Sequence, residues 1–501
     1  MPDAAPTEHL DVLILGAGLS GIAAARYLRT EHPARTIAVL EARGAVGGTW
    51  DLFRYPGVRS DSDLQTFGYE FKPWRDREAI ATGPRILNYL QETVEENDLA
   101  PLIRFHHRVV SADWSSRDAR WTVEVVHPET GQTHHLSATW LFNAGGYYRY
   151  DEGYTPHFEG RERFRGEIVH PQHWPDDLDT RGKRVVVIGS GATAVTLIPS
   201  LTETAAHVTM LQRTPTYVMA LPSVDAVANR LQKIFGPERG YAMSRTLNVH
   251  KFRMFWRFLR RFPHQGRKVI GAVNRRLLPD GYPVDVHFNP PYEPWDQRLC
   301  LAPDGDFFAA ISRGDAEVVT DRIASFTETG IQLESGEHLE ADVVVTATGL
   351  RIQTFGGIEL SLDGEPFDQR RAVAYRGVML SGLPNFAFAI GYTNNSWTLK
   401  VGLLCEYFCR LLSHMDAHGY DVVVPVAEEG METRPLLDFA AGYVQRAIDT
   451  LPLQGTEAPW LMSMDYIADR RTLRTGALVD EHLHFDGPAL RRVATTPAQQ
   501  R

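Results

Sequence analysis

The chain has 501 residues, 43% hydrophobic and 23% charged, an ordinary globular composition that excludes a fibrous or largely disordered protein. A net charge of −10 gives no global basic field to recruit nucleic acid, and three cysteines exclude a disulfide scaffold or a cysteine zinc ribbon, so no metal site is expected. The low cysteine count suits a reduced, cytoplasmic setting; the N-terminal residues show no apolar signal core, and no stretch reaches the roughly 18 apolar residues of a spanning helix.

Asp11 to Leu15 reads as a buried parallel strand. Gly16-Ala17-Gly18-Leu19-Ser20-Gly21 follows, then a helix over Ile22 to Arg29, then a strand over Thr36 to Leu40 that ends at Glu41. This is the dinucleotide fingerprint in its full context. Gly16 permits a tight turn, Gly18 lets a pyrophosphate approach the backbone, and Gly21 lets the helix pack on the strand. The helix start supplies N–H donors and partial positive charge for the phosphate. Glu41 is placed to accept hydrogen bonds from ribose hydroxyls. A further strand, Trp140 to Asn143, closes at Ala144-Gly145.

The pattern recurs at Arg184 to Ile188, followed by Gly189-Ser190-Gly191-Ala192-Thr193-Ala194 and a helix expected to end near Pro199. The next strand, His207 to Leu211, runs into Gln212-Arg213-Thr214-Pro215. Arg213 replaces the acid of the first unit and suits a 2′-phosphate, so the second unit should prefer NADPH, whereas the first suits FAD.

Residues 239–279 hold eleven Lys and Arg and no Asp or Glu, interleaved with aromatics. They read as a packed helical insertion or substrate lid, with peripheral membrane contact as the alternative. Asp342 to Gly349 reads as a buried strand ending against a cofactor. Gly391 to Trp397 leads into an apolar helix over about Thr398 to Met415, with Asn395 and Ser396 either near the flavin or simple helix caps. Cys405 and Cys409 share one face of that helix and read as core. The first helix carries no Cys, which disfavours a disulfide reductase.

Phe164-Arg165-Gly166-Glu167-Ile168-Val169-His170-Pro171-Gln172-His173-Trp174-Pro175 matches FxGxxxHxxxWP, and Gly47-Gly48-Thr49-Trp50 with Arg54-Tyr55-Pro56-Gly57-Val58-Arg59-Ser60-Asp61 matches GGxW…RYPGxRxD. On these motifs the chain resembles the type I Baeyer–Villiger flavin monooxygenases. Within them it looks most like the subgroup of mycobacterial thioamide-prodrug-activating and long-chain alkane-degradation enzymes.

The resemblance implies an α/β flavoprotein with two dinucleotide-binding domains and a helical insertion. The expected division is FAD domain 1–148 and 341–430, NADP domain 149–214 and 291–340, insertion 215–290, and C-terminal extension 431–501. It implies that FAD, NADPH and O2 convert a ketone to an ester or lactone through a C4a-peroxyflavin. By resemblance Arg298 is the catalytic cation, Asp61 its partner acid, and His170 a residue coupling the two domains. FAD contacts fall to Gly16, Gly18, Ser20, Gly21, Glu41, Gly48, Thr49, Trp50, Asp61, Val109, Asn395 and Ser396. NADP contacts fall to Gly189 through Ala194, Arg213 and Thr214. Gly166 is expected to serve backbone conformation and Trp174 to pack. Oxidation of sulfur or nitrogen is the enzymatic alternative, and a non-catalytic flavin-binding redox module the alternative of another class. Neither the ketone or sulfide substrate nor the oligomeric state can be read from the sequence.

Overall fold

The computed structural model describes residues 8–487. The chain opens with β1 (His9–Leu15), α1 (Leu19–Glu31) and β2 (Ile37–Leu40), then β3 (Ile103–Arg104), β4 (Arg108–Ser115), β5 (Arg120–Val126) and β6 (Thr133–Asn143). It crosses to a second unit with β7 (Glu167–Val169), β8 (Arg184–Ile188), α2 (Ala192–Leu201) and β9 (His207–Gln212). Three helices follow: α3 (Ala226–Phe235), α4 (Pro237–Arg261) and α5 (Pro263–Leu277). The chain then adds β10 (Ala316–Thr320) and β11 (Val343–Thr346), and returns to the first unit with β12 (Glu359–Leu362), β13 (Phe386–Phe388) and α6 (Trp397–His418).

The first unit is an eleven-stranded sheet whose main path runs β12-β4-β5-β6-β1-β2-β3. Its nucleotide-binding part, β6-β1-β2-β3, is parallel, and β13 joins the end of β6. The valines and leucines of β1 are buried on both faces, as a parallel strand between two layers requires. One layer is α1 packed with α6. The other holds Trp114, Trp121, Phe386 and Phe388. The second unit is a five-stranded parallel sheet, β10-β9-β8-β11-β7, with α2 on one face.

Several expectations need correction. The Asp342–Gly349 strand does not return to the first sheet: β11 pairs β8 and β7 in the second. A run of buried valines marks a strand without naming its sheet. The crossing back therefore follows Gly349, and the expected boundary at 340/341 moves with it. The 215–290 insertion is not wholly helical, because Val218–Leu221 pairs with Cys300–Pro303. The 431–501 extension is no appendage over its described part, since Leu436, Leu437, Val444 and Leu451 are buried in the core of the first unit. α2 runs past Pro199 to Leu201. Gly166 has no left-handed φ, and an added Cβ would lie 2.3 Å from the Asp342 carbonyl oxygen, so close packing is its reason. Trp174 packs against the second core as expected.

The two crossings between units run side by side. Arg149 N–H donates to the Arg351 carbonyl at 2.9 Å, and Gln353 N–H to the Tyr147 carbonyl at 3.0 Å. No helix of the described residues is long and apolar enough to cross a membrane.

Candidate active site

A cavity of 610 Å³ lies where the two units face each other. Its floor is the first fingerprint. Gly16 has φ +97°, and an added Cβ would meet the Ala144 carbonyl oxygen at 2.9 Å. At Gly21 a Cβ would lie 1.8 Å from the Gly16 carbonyl oxygen, so Gly21 serves packing and does not line the cavity. Gly18 differs: a Cβ there would meet only Gly48, at an ordinary 3.6 Å. The protein's own packing does not demand glycine at that point, whereas a pyrophosphate approaching the backbone does. α1 begins without a side-chain cap, which leaves its first N–H groups for an anion.

Glu41 is buried. Its Oε2 accepts from Ala17 N–H at 2.8 Å and its Oε1 from Arg43 N–H at 2.9 Å. Burial raises its pKa despite these bonds. Each oxygen keeps a lone pair for a ribose hydroxyl. Ser20, Gly48, Thr49, Trp50 and Val109 also line the cavity. Thr49 shares a 3.1 Å hydrogen bond with Tyr150. These features fit FAD.

The Arg54–Asp61 loop leaves the first unit and enters the core of the second. Tyr55 and Val58 are buried among the α2 residues, and Arg59 forms an ion pair with Asp306. At Gly57 a Cβ would meet the Thr196 carbonyl oxygen at 2.9 Å. This loop brings Asp61 to Arg298, whose Nε lies 2.6 Å from Asp61 Oδ2. Burial opposes the guanidinium charge, but the Asp61 carboxylate beside it favours the charge, and the pKa is raised. About a third of the Arg298 side chain stays accessible.

Three tyrosines around Arg298 escape the sequence reading. The hydroxyls of Tyr147 and Tyr148 lie 3.1 Å apart, and Tyr443 interacts with both. Burial raises the pKa of all three, so they stay protonated donors. The aromatic run after Ala144-Gly145 is a visible signal for the first two. Nothing local marks Tyr443. Tyr147 also stacks on Trp397 at 5.3 Å, and Trp397 Nε1–H donates to Ser20 Oγ at 2.9 Å.

Asn395 lines the cavity, but Ser396 does not. Ser396 is buried with its hydroxyl 2.7 Å from that of Thr66, and it makes no cap bond to α6. Both readings of Ser396, flavin contact and helix cap, give way to this packing.

The second fingerprint reaches the cavity through Ala192 and Thr193. Gly189 has φ +134° and packs on the Ala347 carbonyl, whereas an added Cβ at Gly191 would meet nothing within 4 Å. α2 starts without a side-chain cap. Ser190 Oγ donates to the Thr214 carbonyl at 3.0 Å, and Ala194 is fully buried. Arg213 is exposed, with no ion pair among the described residues. An open glycine, free helix N–H groups and an unpaired arginine fit NADPH.

His170 lies outside the cavity. Its Nδ1 accepts from Gln172 N–H at 3.2 Å, and its Nε2–H donates to the Gly349 carbonyl at 3.2 Å. The same carbonyl accepts Tyr154 N–H at 3.0 Å, so His170 fastens both crossings. Burial lowers its pKa, which favours this neutral tautomer. Cys300, Cys405 and Cys409 are buried and unpaired. Burial pushes the Cys300 and Cys409 thiols up to about 12, so neither is a ready nucleophile.

Two units of this kind facing one cavity define a two-dinucleotide-binding flavoprotein. Residues 71–247 match the flavin-binding monooxygenase-like family, and residues 14–76 the NAD(P)-binding Rossmann-like domain. The chain is 50% identical over 481 residues to the FAD-containing monooxygenase EthA of Mycobacterium tuberculosis, covering 96% of this chain and 98% of the relative. It is 46% identical over 488 residues to the probable FAD-binding monooxygenase AlmA of Acinetobacter baylyi, covering 96% of each. Its fold is similar to that of an oxidized steroid monooxygenase bound to NADP, with TM-score 0.75, 24% identity, and 96% and 100% of the two chains covered. A cyclohexanone monooxygenase from Rhodococcus sp. Phi1 bound to NADP+ gives TM-score 0.75 at 21% identity, with the same coverage. The chain therefore belongs to the type I Baeyer–Villiger, flavin-binding monooxygenase-like family of FAD- and NADPH-dependent enzymes.

Proposed function

We propose that the chain inserts one atom of O2 beside the carbonyl of a ketone, giving an ester or lactone, with the second atom leaving as water and NADPH as reductant. Bound FAD would supply the redox chemistry, with NADPH as hydride donor and O2 as oxidant. The observation that carries the residue assignment is the Arg298–Asp61 pair at 2.6 Å beside both fingerprints. Arginine keeps its charge at any working pH, so Arg298 can hold the negative charge that builds up as the carbonyl is attacked. Asp61 fixes the plane of the guanidinium. Tyr147 and Tyr148 offer hydroxyl donors to the same charge.

Glu41 and the α1 N-terminus would hold FAD, with Asn395 at its far side. Gly191, the α2 N-terminus and Arg213 would hold NADPH, with Arg213 on the 2′-phosphate. His170 positions the two units and moves no proton. The three buried, unpaired cysteines support a reducing, cytoplasmic setting. Peripheral contact of residues 239–279 with a membrane is part of the same reading.

The test is a ketone and a sulfide incubated with holoenzyme and NADPH, with products identified by mass spectrometry. Ester from the ketone supports the proposal. Sulfoxide formation without any ester overturns it.

A further inference from the structure

Most large apolar side chains exposed on the described residues lie in one stretch, between Val227 and Val286. On α4 they are Met243, Leu247, Met254 and Phe258. At 100° per residue these four fall within about 60° of the helix circumference. Met254 is 67% exposed. α5 continues the pattern at Val269, Val273 and Leu277, each four residues from the last.

The inner face of α4 mixes Tyr241, Val249 and Leu259 with polar anchors. Ser244, Arg245 and Asn248 are buried. Arg245 donates to the carbonyls of Gln65, Thr66 and Gly68 at 3.0, 2.9 and 2.7 Å, and Asn248 donates to Asp63 and Asp225 at 3.0 and 2.9 Å. An ordinary surface helix turns its apolar face inward. Here polar bonds, together with Tyr241, Val249 and Leu259, hold the helix down, and a second apolar stripe is left pointing out.

The surroundings of the stripe select its occupant. Lys251, Arg257, Arg261, Lys268 and Arg276 are exposed and form no ion pair among the described residues. They stand in a segment without a single acid, on a chain of net charge −10. An apolar stripe flanked by free basic residues matches the interface of an anionic bilayer. The acidic remainder would be repelled by that surface, which sets the orientation.

The same helix walls a second, smaller cleft, through Val249, Phe252 and Trp256 with Asn394, Asn395 and Met464. Asn395 also lines the reaction cavity. One helix thus carries the outward stripe and walls a small cleft that shares Asn395 with the reaction cavity.

We propose that the α4–α5 face docks on an anionic phospholipid bilayer and that the enzyme takes a bilayer-dissolved ketone past Asn395. This substrate class rests on the ketone reading above; the docking does not.

The experiment is sedimentation of holoenzyme with vesicles of phosphatidylglycerol and phosphatidylcholine, against vesicles of phosphatidylcholine alone. Binding to the anionic vesicles is expected, with a loss of about tenfold or more in Lys251→Glu/Arg257→Glu, at roughly 1 kcal/mol per basic residue near the surface. Met254→Ser/Phe258→Ser should also release the protein while keeping bound flavin and full turnover of a short, water-soluble ketone. With a long-chain ketone delivered in anionic vesicles, the same variant should lose about tenfold or more in kcat/KM, since two apolar anchors are removed. Failure of the wild-type protein to sediment, equal binding to neutral vesicles, or a concentration-dependent dimer abolished by Met254→Ser/Phe258→Ser without vesicle binding would each overturn the docking. Vesicle binding with no ester from any ketone would sink the substrate reading and leave the docking standing.

Discussion

The two fingerprints share a strand–turn–helix–strand plan and differ in finish. In the first, Glu41 is buried and bonded to two backbone N–H groups, and Trp397 reaches across to Ser20. The second leaves Arg213 exposed and the space at Gly191 open. A site whose polar groups are fixed in advance spends little ordering on binding, and it suits a resident cofactor. One that keeps its charged side chain in solvent suits a cofactor that comes and goes. The difference teaches that one motif, twice used, is divided between holding and exchanging.

The largest test strikes the charge between the two sites. Arg298→Ala should retain FAD and lower ester formation by about 100- to 1000-fold, the usual cost of a lost anion-stabilising donor. Product analysis under NADPH checks it, and retained ester formation would remove Arg298 from the chemistry.

Glu41→Ala should break the resident side. Flavin affinity should fall by about 10- to 100-fold, from hydrogen bonds to a charged group worth roughly 1.5–3 kcal/mol. Equilibrium dialysis of FAD measures this, and unchanged retention would refute the ribose contact. Arg213→Ala should act on the exchanging side alone. KM for NADPH should rise by about tenfold with kcat nearly unchanged, and the preference over NADH should shrink, as expected for a partly solvated phosphate contact. A preserved preference would refute it.

The smallest effect is one of pH. Burial holds the His170 pKa below the 6.5 of a free imidazole. Its neutral form therefore contributes fully to stability above about pH 6.5, and that contribution is lost as pH falls through the lowered native value. The melting temperature of His170→Asn should decline less steeply into acid than that of the wild-type protein. Its pH–rate profile should keep its shape, because no proton passes through the ring. A shifted profile would make His170 a proton carrier and blur the division between the two sites.

Much of this comparison is legible in the sequence, because glycine turns and their terminal Glu or Arg are local devices. The Arg298–Asp61 pair is legible only through resemblance, since 237 residues separate its members and no periodicity joins them. Other features escape. The β11 strand reads as buried without revealing which sheet buries it. Ser396 stands at a helix start, where capping is the local expectation, yet its partner is Thr66, 330 residues away. Tyr443 joins Tyr147 and Tyr148 only because the C-terminal segment folds back onto the first core. The outward apolar stripe of α4 is half visible. Composition exposes the basic and aromatic mixture, but only packing tells which side of the helix faces in.

That return of Tyr443 has a consequence for the order in which the enzyme is made. As the chain leaves the ribosome, both nucleotide loops and Arg298 emerge well before the last hydroxyl donor beside the guanidinium. A nascent chain ending at residue 430 carries both nucleotide loops and Arg298 but lacks Tyr443 and the leucines that complete the core of the first unit. The setting of Arg298 is therefore completed by a segment made after both nucleotide loops, and the core of the first unit closes with that same segment.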